Sequence, residues 1–386
     1  MANSLGSKGP AGLSRRLLLG GAAASVGLAS AAAAAQAAPA PAGLKKPRSR
    51  THVVLLGTAG GPAINPRSDR EGIASALVVG DRYYLVDAGH GVTKQLSRAK
   101  LGGWDKPGSG PLDSLRAVFL THLHSDHVTD LSDLFSPGLF SGLGAADLPI
   151  KLYGPGNRGQ LPPVFGSGAA PEVVAPDNPT PGTVEMWESL VRAFAMDFND
   201  RARDNRQPTP GQTVEAHDIE LPPHLTADPN GNPHPEMDPV FVYEDDRVRV
   251  SAILVQHAPV FPAFAYRFDT EDGSAVFSGD TGPSDNLVKL AQGADVLVHE
   301  ALSRQFLEEV YPEPRSAVQE AVLQHLLGAH TTIEDVGPLA ERAGAKTLVL
   351  NHLVPAHGPD QQWKRARNGY SGTLVVGRDL DVINVG

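Results

Sequence analysis

The chain has 386 residues, of which 41% are hydrophobic, enough to build one large domain or two modest ones around a real core. It contains no cysteine, which excludes a disulfide scaffold, a thiol nucleophile, cysteine-bound zinc and iron–sulfur clusters. Any metal must therefore be bound by His, Asp or Glu. The formal net charge of −10, from 33 basic and 43 acidic residues, disfavours a polyanion-binding protein.

Residues 1–38 have the layout of an export signal. Arg15 and Arg16 precede three leucines, an Ala- and Gly-rich apolar run follows, and small residues then favour cleavage after Ala37 or Ala38. The paired arginines resemble a twin-arginine signal, so we expect the twin-arginine export machinery as a partner. The mature protein would lie in the periplasm, in the cell wall or outside the cell. An uncleaved membrane anchor is the alternative, but the apolar run is short for one.

Residues 39–50 are predicted to be a linker and residues 51–386 to be one α/β domain. Short apolar strand candidates fall into two groups along the chain, and helical stretches lie among them. The strand candidates are residues 52–56, 74–79, 83–86, 115–120, 240–243, 248–255, 263–268, 275–277, 296–298, 348–350, 373–376 and 382–385. Two groups of strands with interspersed helices predict two sheets with helices outside them.

Residues 155–239 are predicted to be a Pro-rich insertion, because fifteen of the 33 prolines lie there. Within it, residues 184–203 are an amphipathic helix candidate, with apolar side chains at helical spacing from Trp187 to Phe198. Such a helix either packs on the core by its apolar face or forms a lid over a pocket. Long insertions often have a function, so both alternatives stay open.

The motif that carries the chemistry directly follows the strand candidate at 115–120. His122, His124, Asp126 and His127 place four metal-type ligands within six residues. Side chains alternate along an extended chain, so His122 and His124 point to one side, and a turn brings the other two to a second point. Neither a solvated surface nor a packed core readily explains four ligand-type residues within six positions. The motif therefore predicts a metal site.

Three further positions are candidate ligands for the same site. His257, Asp280 and His352 each stand just beyond an apolar strand candidate. Polar groups at strand ends are what a site at the open edge of packed sheets requires. One short motif does not supply two metal ions with complete ligand sets, so we expect these three residues to join it.

The order and context of these residues resemble the metallo-β-lactamase superfamily, and in particular its ribonuclease Z and arylsulfatase-like branch. The resemblance covers roughly residues 51–155 and 240–355. The motifs that carry it are Gly57-Thr58, Asp87-Ala88-Gly89, the strand from Ala263 to Arg267, His299-Glu300-Ala301 and His330-Thr331-Thr332. It implies a four-layer αβ/βα sandwich, here with the Pro-rich insertion.

The resemblance also implies two divalent metal ions, most often Zn²⁺, and a ligand set. His122, His124 and His257 would bind one ion, Asp126, His127 and His352 would bind the other, and Asp280 would bridge them. Imidazoles and carboxylates suit zinc, and a hydroxide shared by two ions would be the nucleophile.

Further roles follow from the same resemblance. Asp126 would also position the hydroxide or accept its proton, and His330 would stabilise developing charge or protonate the leaving group. Asp87 and Glu300 would orient the imidazoles of metal ligands. We expect the protein to be an enzyme, a hydrolase of ester bonds.

The substrate predicted from these features is a small phosphodiester or an aryl sulfate. Trp187, Phe194 and Phe198 would line a pocket for an aromatic leaving group, and Arg267 would contact the negative charge. Transfer-RNA processing is the best-known activity of the branch. Export, overall acidity and the absence of lysine from residues 155–239 argue against it, so no nucleic-acid partner is expected.

Other functions and assemblies stay open at this point. A lactone, a β-lactam or another carboxylic ester is the alternative substrate, although Gln256-His257-Ala258-Pro259 departs from the turn usual in thioester and lactone hydrolases. A non-catalytic metal-binding module is the alternative of another class. The sequence leaves open whether the chain forms a homodimer.

Overall fold

The computed structural model describes residues 47–63, 66–106, 109–166 and 169–386, so the predicted export signal lies outside the described residues. In this described part, no helix combines the length and the apolar character needed to cross a membrane. The α/β prediction is confirmed, because the strands form two seven-stranded sheets.

The first sheet has the strand order β14-β1-β2-β3-β4-β5-β6. Its strands are β1 (Thr51–Gly57), β2 (Ala74–Val79), β3 (Arg82–Val86), β4 (Leu115–Phe119), β5 (Ile150–Pro155), β6 (Val214–Ile219) and β14 (Val382–Asn384). The pairs from β14 to β3 are antiparallel and those from β3 to β6 are parallel.

The second sheet has the order β13-β12-β11-β10-β9-β8-β7. Its strands are β7 (Val240–Glu244), β8 (Val248–Leu254), β9 (Phe264–Thr270), β10 (Ser274–Phe277), β11 (Val296–Leu302), β12 (Thr347–Val354) and β13 (Thr373–Val376). It repeats the design of the first sheet, antiparallel from β7 to β10 and parallel from β10 to β13.

Parallel neighbours need crossover connections, and the helices lie in these connections. The helices are α1 (Val92–Arg98), α2 (Ser125–Val128), α3 (Leu131–Phe135), α4 (Thr183–Ala193), α5 (Ala195–Asp204), α6 (Pro210–Thr213), α7 (Asp285–Leu290), α8 (Arg304–Val310), α9 (Ala317–Ala329), α10 (Ile333–Ala343) and α11 (Asp360–Trp363). Short 3₁₀ turns occupy Pro111–Ser114, Pro137–Phe140, Leu143–Ala145, Pro223–Leu225 and Lys364–Arg367.

The two sheets pack face to face through a buried aromatic core. The ring of Phe119 on β4 meets the ring of Phe268 on β9 edge-on, with 5.2 Å between centroids, and lies 5.5 Å from that of Tyr266. On the outer face of the first sheet, Leu96 of α1, Phe135 of α3 and other residues form a second core. Helix α10 covers the second sheet, and the predicted four-layer sandwich is confirmed.

The segment predicted as an insertion differs from the prediction in two ways. Its last part before residue 220 contains β6, which pairs in parallel with β5 and extends the first sheet. The single helix expected over 184–203 is two helices, α4 and α5, separated at Phe194, whose φ of −100° and ψ of 13° are not helical. Trp187 of α4 packs edge-on against Phe135 with 5.2 Å between centroids, so α4 serves as an outer helix of the sandwich.

Candidate metal centre

The first sheet supplies four of the seven predicted ligands from one strand end. His122 and His124 follow β4 in extended backbone, and Asp126 and His127 lie in the short helix α2 that begins right after them. The change from extended chain to helix turns the second pair to a different direction from the first. The local change of backbone conformation therefore gives two neighbouring sets of donors.

The second sheet supplies the other three from three strands. His257 lies beyond β8 and Asp280 beyond β10, whereas His352 lies within β12. His352 is the extra residue of a bulge, because Asn351 pairs with Glu300 and Leu353 with Ala301. Its φ of 41° is unusual for a side-chain-bearing residue, and the bulge turns the imidazole towards the site.

Asp280 lies at the centre of the cluster, with 3% of its surface exposed. Its Oδ1 is 3.4 Å from His127 Nε2 and 3.3 Å from His352 Nε2. Its Oδ2 is 3.9 Å from both His122 Nε2 and His257 Nε2. One carboxylate oxygen therefore faces each of the two predicted ligand sets, which is the geometry a bridging ligand needs.

Both predicted sets are compact in the structure. The donor atoms of His122, His124 and His257 lie within 4.8 Å of one another, and so do those of Asp126, His127 and His352. His122 Nε2, His127 Nε2 and Asp280 Oδ1 are buried without a hydrogen-bond partner. Buried polar atoms are rarely left unpaired, so this donor set fits divalent metal ions.

Hydrogen bonds from the far side of two rings set the tautomers. His127 Nδ1 donates to Asp87 Oδ2 at 2.8 Å, and His257 Nδ1 donates to the carbonyl of Ala329 at 3.0 Å. In the neutral form of each ring, Nε2 therefore carries its lone pair towards Asp280, as a metal ligand requires. Asp87 Oδ1 also accepts from the backbone amide of Thr121 at 2.8 Å.

Electrostatics separate the histidines of the two sets. Burial lowers the pKa of His257 to about 3 and holds the pKa of His122 well below its usual value, so both rings are neutral. Burial also opposes charge on His127, but the carboxylates of Asp280 and Asp87 raise its pKa well above the usual value. The surrounding histidines, despite burial, keep the pKa of Asp280 well below that of a free carboxyl group.

His330 and Glu300 form a pair beside the cluster. His330 Nδ1 lies 2.9 Å and 3.1 Å from the two oxygens of Glu300, and 4.0 Å from Asp280 Oδ2. Burial opposes it, but the Glu300 carboxylate raises the pKa of His330 to about 9. The prediction that Glu300 orients a metal ligand therefore needs correction: in the structure it orients His330.

The predicted substrate pocket is not formed by the residues chosen for it. Trp187 and Phe198 are buried in the outer core of the first sheet, and Phe194 lies at the break between α4 and α5. Arg267 Nε pairs with Asp269 at 2.9 Å, and its Nη1 donates to the carbonyl of Leu290 at 3.0 Å. Apolar spacing on a helix marks a buried face, whether or not a ligand is near.

Two residues that sequence reasoning missed lie against the ligands. The carbonyl of Ala329 holds His257, and Gly60 lies where a side chain would strike His352. A backbone carbonyl has no residue type, so nothing in the sequence marks Ala329. Gly57-Thr58, two residues before Gly60, is among the motifs that carry the resemblance, but it does not mark the contact with His352.

Comparisons with known proteins identify the family of the chain. Residues 69–140, which include the His122 to His127 motif, match the family model described as the metallo-beta-lactamase superfamily. A ribonuclease Z of Mycobacterium bovis BCG is 31% identical over 336 residues, spanning 86% of this chain and 98% of that protein. The chain belongs to the ribonuclease Z family. The ribonuclease Z of Mycobacterium tuberculosis H37Rv, 30% identical, spans the same share of this chain and 97% of its own length.

Solved structures show the same fold. The metallo-beta-lactamase fold protein YhfI of Bacillus subtilis superposes with a TM-score of 0.54 at 18% identity, covering 87% of this chain and 100% of its own. The short form of human tRNase Z gives a TM-score of 0.53 at 20% identity, covering 87% of this chain and 99% of its own.

As a member of the ribonuclease Z family, the protein is a metallo-beta-lactamase-fold hydrolase that acts on ester bonds. The ribonuclease Z side of the predicted branch is confirmed, and the comparisons lend no support to its arylsulfatase-like side or to the export signal. The prediction of a small-molecule ester without a nucleic-acid partner is wrong, because the relatives are ribonucleases.

Proposed function

We propose that the protein is a metal-dependent phosphodiesterase that cleaves RNA. The observation that carries the proposal is the pair of donor sets on either side of the buried Asp280, next to the Glu300–His330 pair. This arrangement occurs in a chain that matches ribonucleases Z over nearly their whole length. Because transfer-RNA processing is the best-known activity of this branch, a transfer-RNA precursor is the proposed substrate.

Two divalent ions would be held by the two donor sets, with Asp280 between them. Imidazoles and carboxylates, in a chain without cysteine, favour Zn²⁺ among the common divalent ions. Once bound, such a metal pair lowers the pKa of a water molecule towards about 7 and offsets phosphate charge.

The side chains of this protein then have distinct tasks. Since His330 Nδ1 donates to Glu300, its Nε2 is the free ring nitrogen, and we assign it the proton that the leaving oxygen receives. The Glu300 carboxylate holds the ring in this orientation and stabilises its charged form. Asp126, partly exposed and 3.5 Å from His352 Nε2, is assigned to the second donor set and to positioning the attacking water.

The proposal is tested with Asp280→Ala, measured for metal content and for cleavage of two substrates. The substrates are a transfer-RNA precursor with a 3′ extension and bis(p-nitrophenyl) phosphate. We expect the native protein to bind two ions and cleave both substrates. The variant should lose bound metal and at least about 100-fold in kcat, because one carboxylate serves both donor sets.

Asp238→Ala is the matched control, since this carboxylate is exposed and pairs with Lys289 away from the cluster. It should change neither metal content nor turnover. Native protein that cleaves an aryl sulfate or a lactone but neither phosphodiester would overturn the proposal. Full turnover by Asp280→Ala would favour a non-catalytic role for the cluster.

The export signal at residues 1–38 stays a prediction, and it decides which RNA the enzyme meets. A leader that acts would take the enzyme away from cytoplasmic transfer RNA. Residues 1–50 fused to a reporter, followed by cell fractionation, measure this directly. Replacing Arg15 and Arg16 by lysine should abolish export if the twin-arginine reading is correct.

A further inference from the structure

One loop of the Pro-rich segment is anchored beside His257. This loop, here called the rim loop, comprises residues 158–166 and follows β5. At its start, Arg158 Nη2 donates to Asn230 Oδ1 at 2.8 Å and to the carbonyl of Pro259 at 3.3 Å. Pro259 comes two residues after His257, so the base of the rim loop is attached to the segment that carries a predicted metal ligand.

The far end of the rim loop contacts helix α9, which ends at Ala329. The ring of Phe165 contacts that of His325 on α9, with 6.4 Å between centroids. His325 lies one helical turn before Ala329, so the two share a face of α9. Ala329 is the residue whose carbonyl holds His257, and His330 follows it directly. The Phe165–His325 pair therefore lies one helical turn from the residue that holds His257.

The rim loop exposes apolar side chains there. Phe165 is 57% exposed, and Leu161 and Val164 are exposed to a similar degree. Several exposed apolar side chains grouped on one short loop are typical of a binding surface. Pro162 and Pro163 restrict the backbone between them, which reduces the entropy lost when the loop is held by a ligand.

We infer that Phe165 and His325 form a stacking surface for a nucleobase next to the phosphodiester that is cleaved. Proteins recognise unpaired RNA bases mainly by stacking them on aromatic side chains, histidine included. The cluster around Asp280 recognises the phosphate alone, which every phosphodiester shares. A stacking surface beside this cluster would let the enzyme discriminate RNA from small phosphodiesters that have no base. The inference rests on the proposed function, because it requires RNA as the substrate.

The experiment compares Phe165→Ala with the native enzyme on the transfer-RNA precursor and on bis(p-nitrophenyl) phosphate, which has no base. We expect kcat/KM for the RNA to fall about 5-fold to 100-fold, the range for loss of one base stack, mainly through KM. Turnover of the small diester should stay unchanged. Phe165→Trp should restore RNA cleavage, and His325→Ala should lower it in the same direction.

Phe241→Ala is the matched control, because Phe241 on β7 is also 57% exposed but belongs to the edge strand of the second sheet. It should alter neither substrate. Unchanged RNA cleavage by Phe165→Ala overturns the inference, and so does an equal loss on both substrates, which would assign Phe165 to the fold. A native enzyme that cleaves the small diester but no RNA overturns the proposed function and this inference with it.

Discussion

Glu300 shows how one buried carboxylate gives a neighbour its chemistry. It is 1% exposed, and burial raises its own pKa, yet it accepts from His330 Nδ1 and from the amide of Thr281 at 2.6 Å. A buried charge of this kind is tolerated only where partners compensate it. His330 supplies the compensating positive charge, so the charged form of each side chain stabilises that of the other.

Glu300→Gln tests this pairing. The amide has the shape of the carboxylate but no charge, so it holds His330 without stabilising its protonated ring. We expect kcat on bis(p-nitrophenyl) phosphate to fall about 10-fold to 100-fold with metal content unchanged. His330→Ala should cost at least as much, and the double variant little more, since the two act together. Loss of metal in Glu300→Gln would show instead that Glu300 supports the ligands.

At the residue scale, the sequence predicted the identities of the clustered groups but not all their contacts. His and Asp residues that follow strands can be recognised in the sequence, because the apolar runs before them predict where the strands end. The partner of Glu300 depends on how α9 and β11 pack together, which no local pattern records. The bulge at His352 is likewise hidden, since bulges carry no obligatory residue type except where glycine is required.

Among the structural elements, the turn after β1 packs directly against His352. A Cβ atom on Gly60 would lie 2.6 Å from His352 Nδ1 and 2.7 Å from the His352 carbonyl oxygen. The turn itself is held in place, because Leu353 donates its amide to the carbonyl of Thr58 at 2.9 Å. A side chain at this position would therefore force the turn or His352 to shift.

Gly60→Ala should displace His352 from the second donor set. We expect metal affinity at that set to fall at least about 10-fold, the usual cost of disturbing the surroundings of a ligand, and the Tm to decrease. Titration with Zn²⁺ by calorimetry measures the first and thermal denaturation the second. Gly211→Ala is the control, because its added Cβ meets nothing within 4 Å. Native metal affinity in Gly60→Ala would show that the turn moves freely.

Element prediction worked where hydrophobic periodicity was strong and failed where it was weak. Buried strands that contain an apolar run, such as residues 53–56 of β1 and 348–350 of β12, were located from the sequence. Strands β5 and β6 were missed because neither is a long apolar run: three of the six residues of Val214–Ile219 are polar, and β5 contains Lys151 and ends in Gly154 and Pro155. The break between α4 and α5 at Phe194 carries neither glycine nor proline, so nothing marked it.

Across the whole molecule, Asp379 joins the two ends of the domain. It follows β13, and its Oδ1 accepts from Thr58 Oγ1 at 2.6 Å, while Oδ2 accepts from the amide of Glu71 at 2.7 Å. Burial raises its pKa to about 6, although these hydrogen bonds act in the opposite direction. The folded protein therefore binds a proton here more tightly than the unfolded chain does.

The sign of the resulting pH dependence follows from linkage. Between the ordinary pKa of 3.8 and the folded value of about 6, the folded state binds more protons, so this group's contribution to stability is lost as pH rises. Asp379→Asn has no carboxyl group to titrate at this position, so its stability does not fall with pH for this reason. We expect its free energy of unfolding, relative to the native protein, to improve by about 1–3 kcal/mol from pH 4 to pH 7. Urea denaturation at several pH values measures the difference, and a constant difference would contradict the assignment.

The overall charge was the least reliable guide to function. A net charge of −10 suggested that RNA would be repelled, yet the relatives are ribonucleases. Salt screens exposed charges beyond about 8–10 Å, so a sum over the whole surface says little about the field at one site. An acidic residue far from the metal centre lowers the net charge as much as one beside it, although only the nearer one affects RNA there.

The division of the seven clustered groups between the two sheets has a consequence for biosynthesis. A nascent chain that has reached Ile219 holds His122, His124, Asp126 and His127, but the remaining three groups have not been made. The last of them in chain order is His352 in β12. Binding of both metal ions therefore requires that the two sheets have docked, so it comes late in folding. A chain truncated before His352 lacks a complete ligand set.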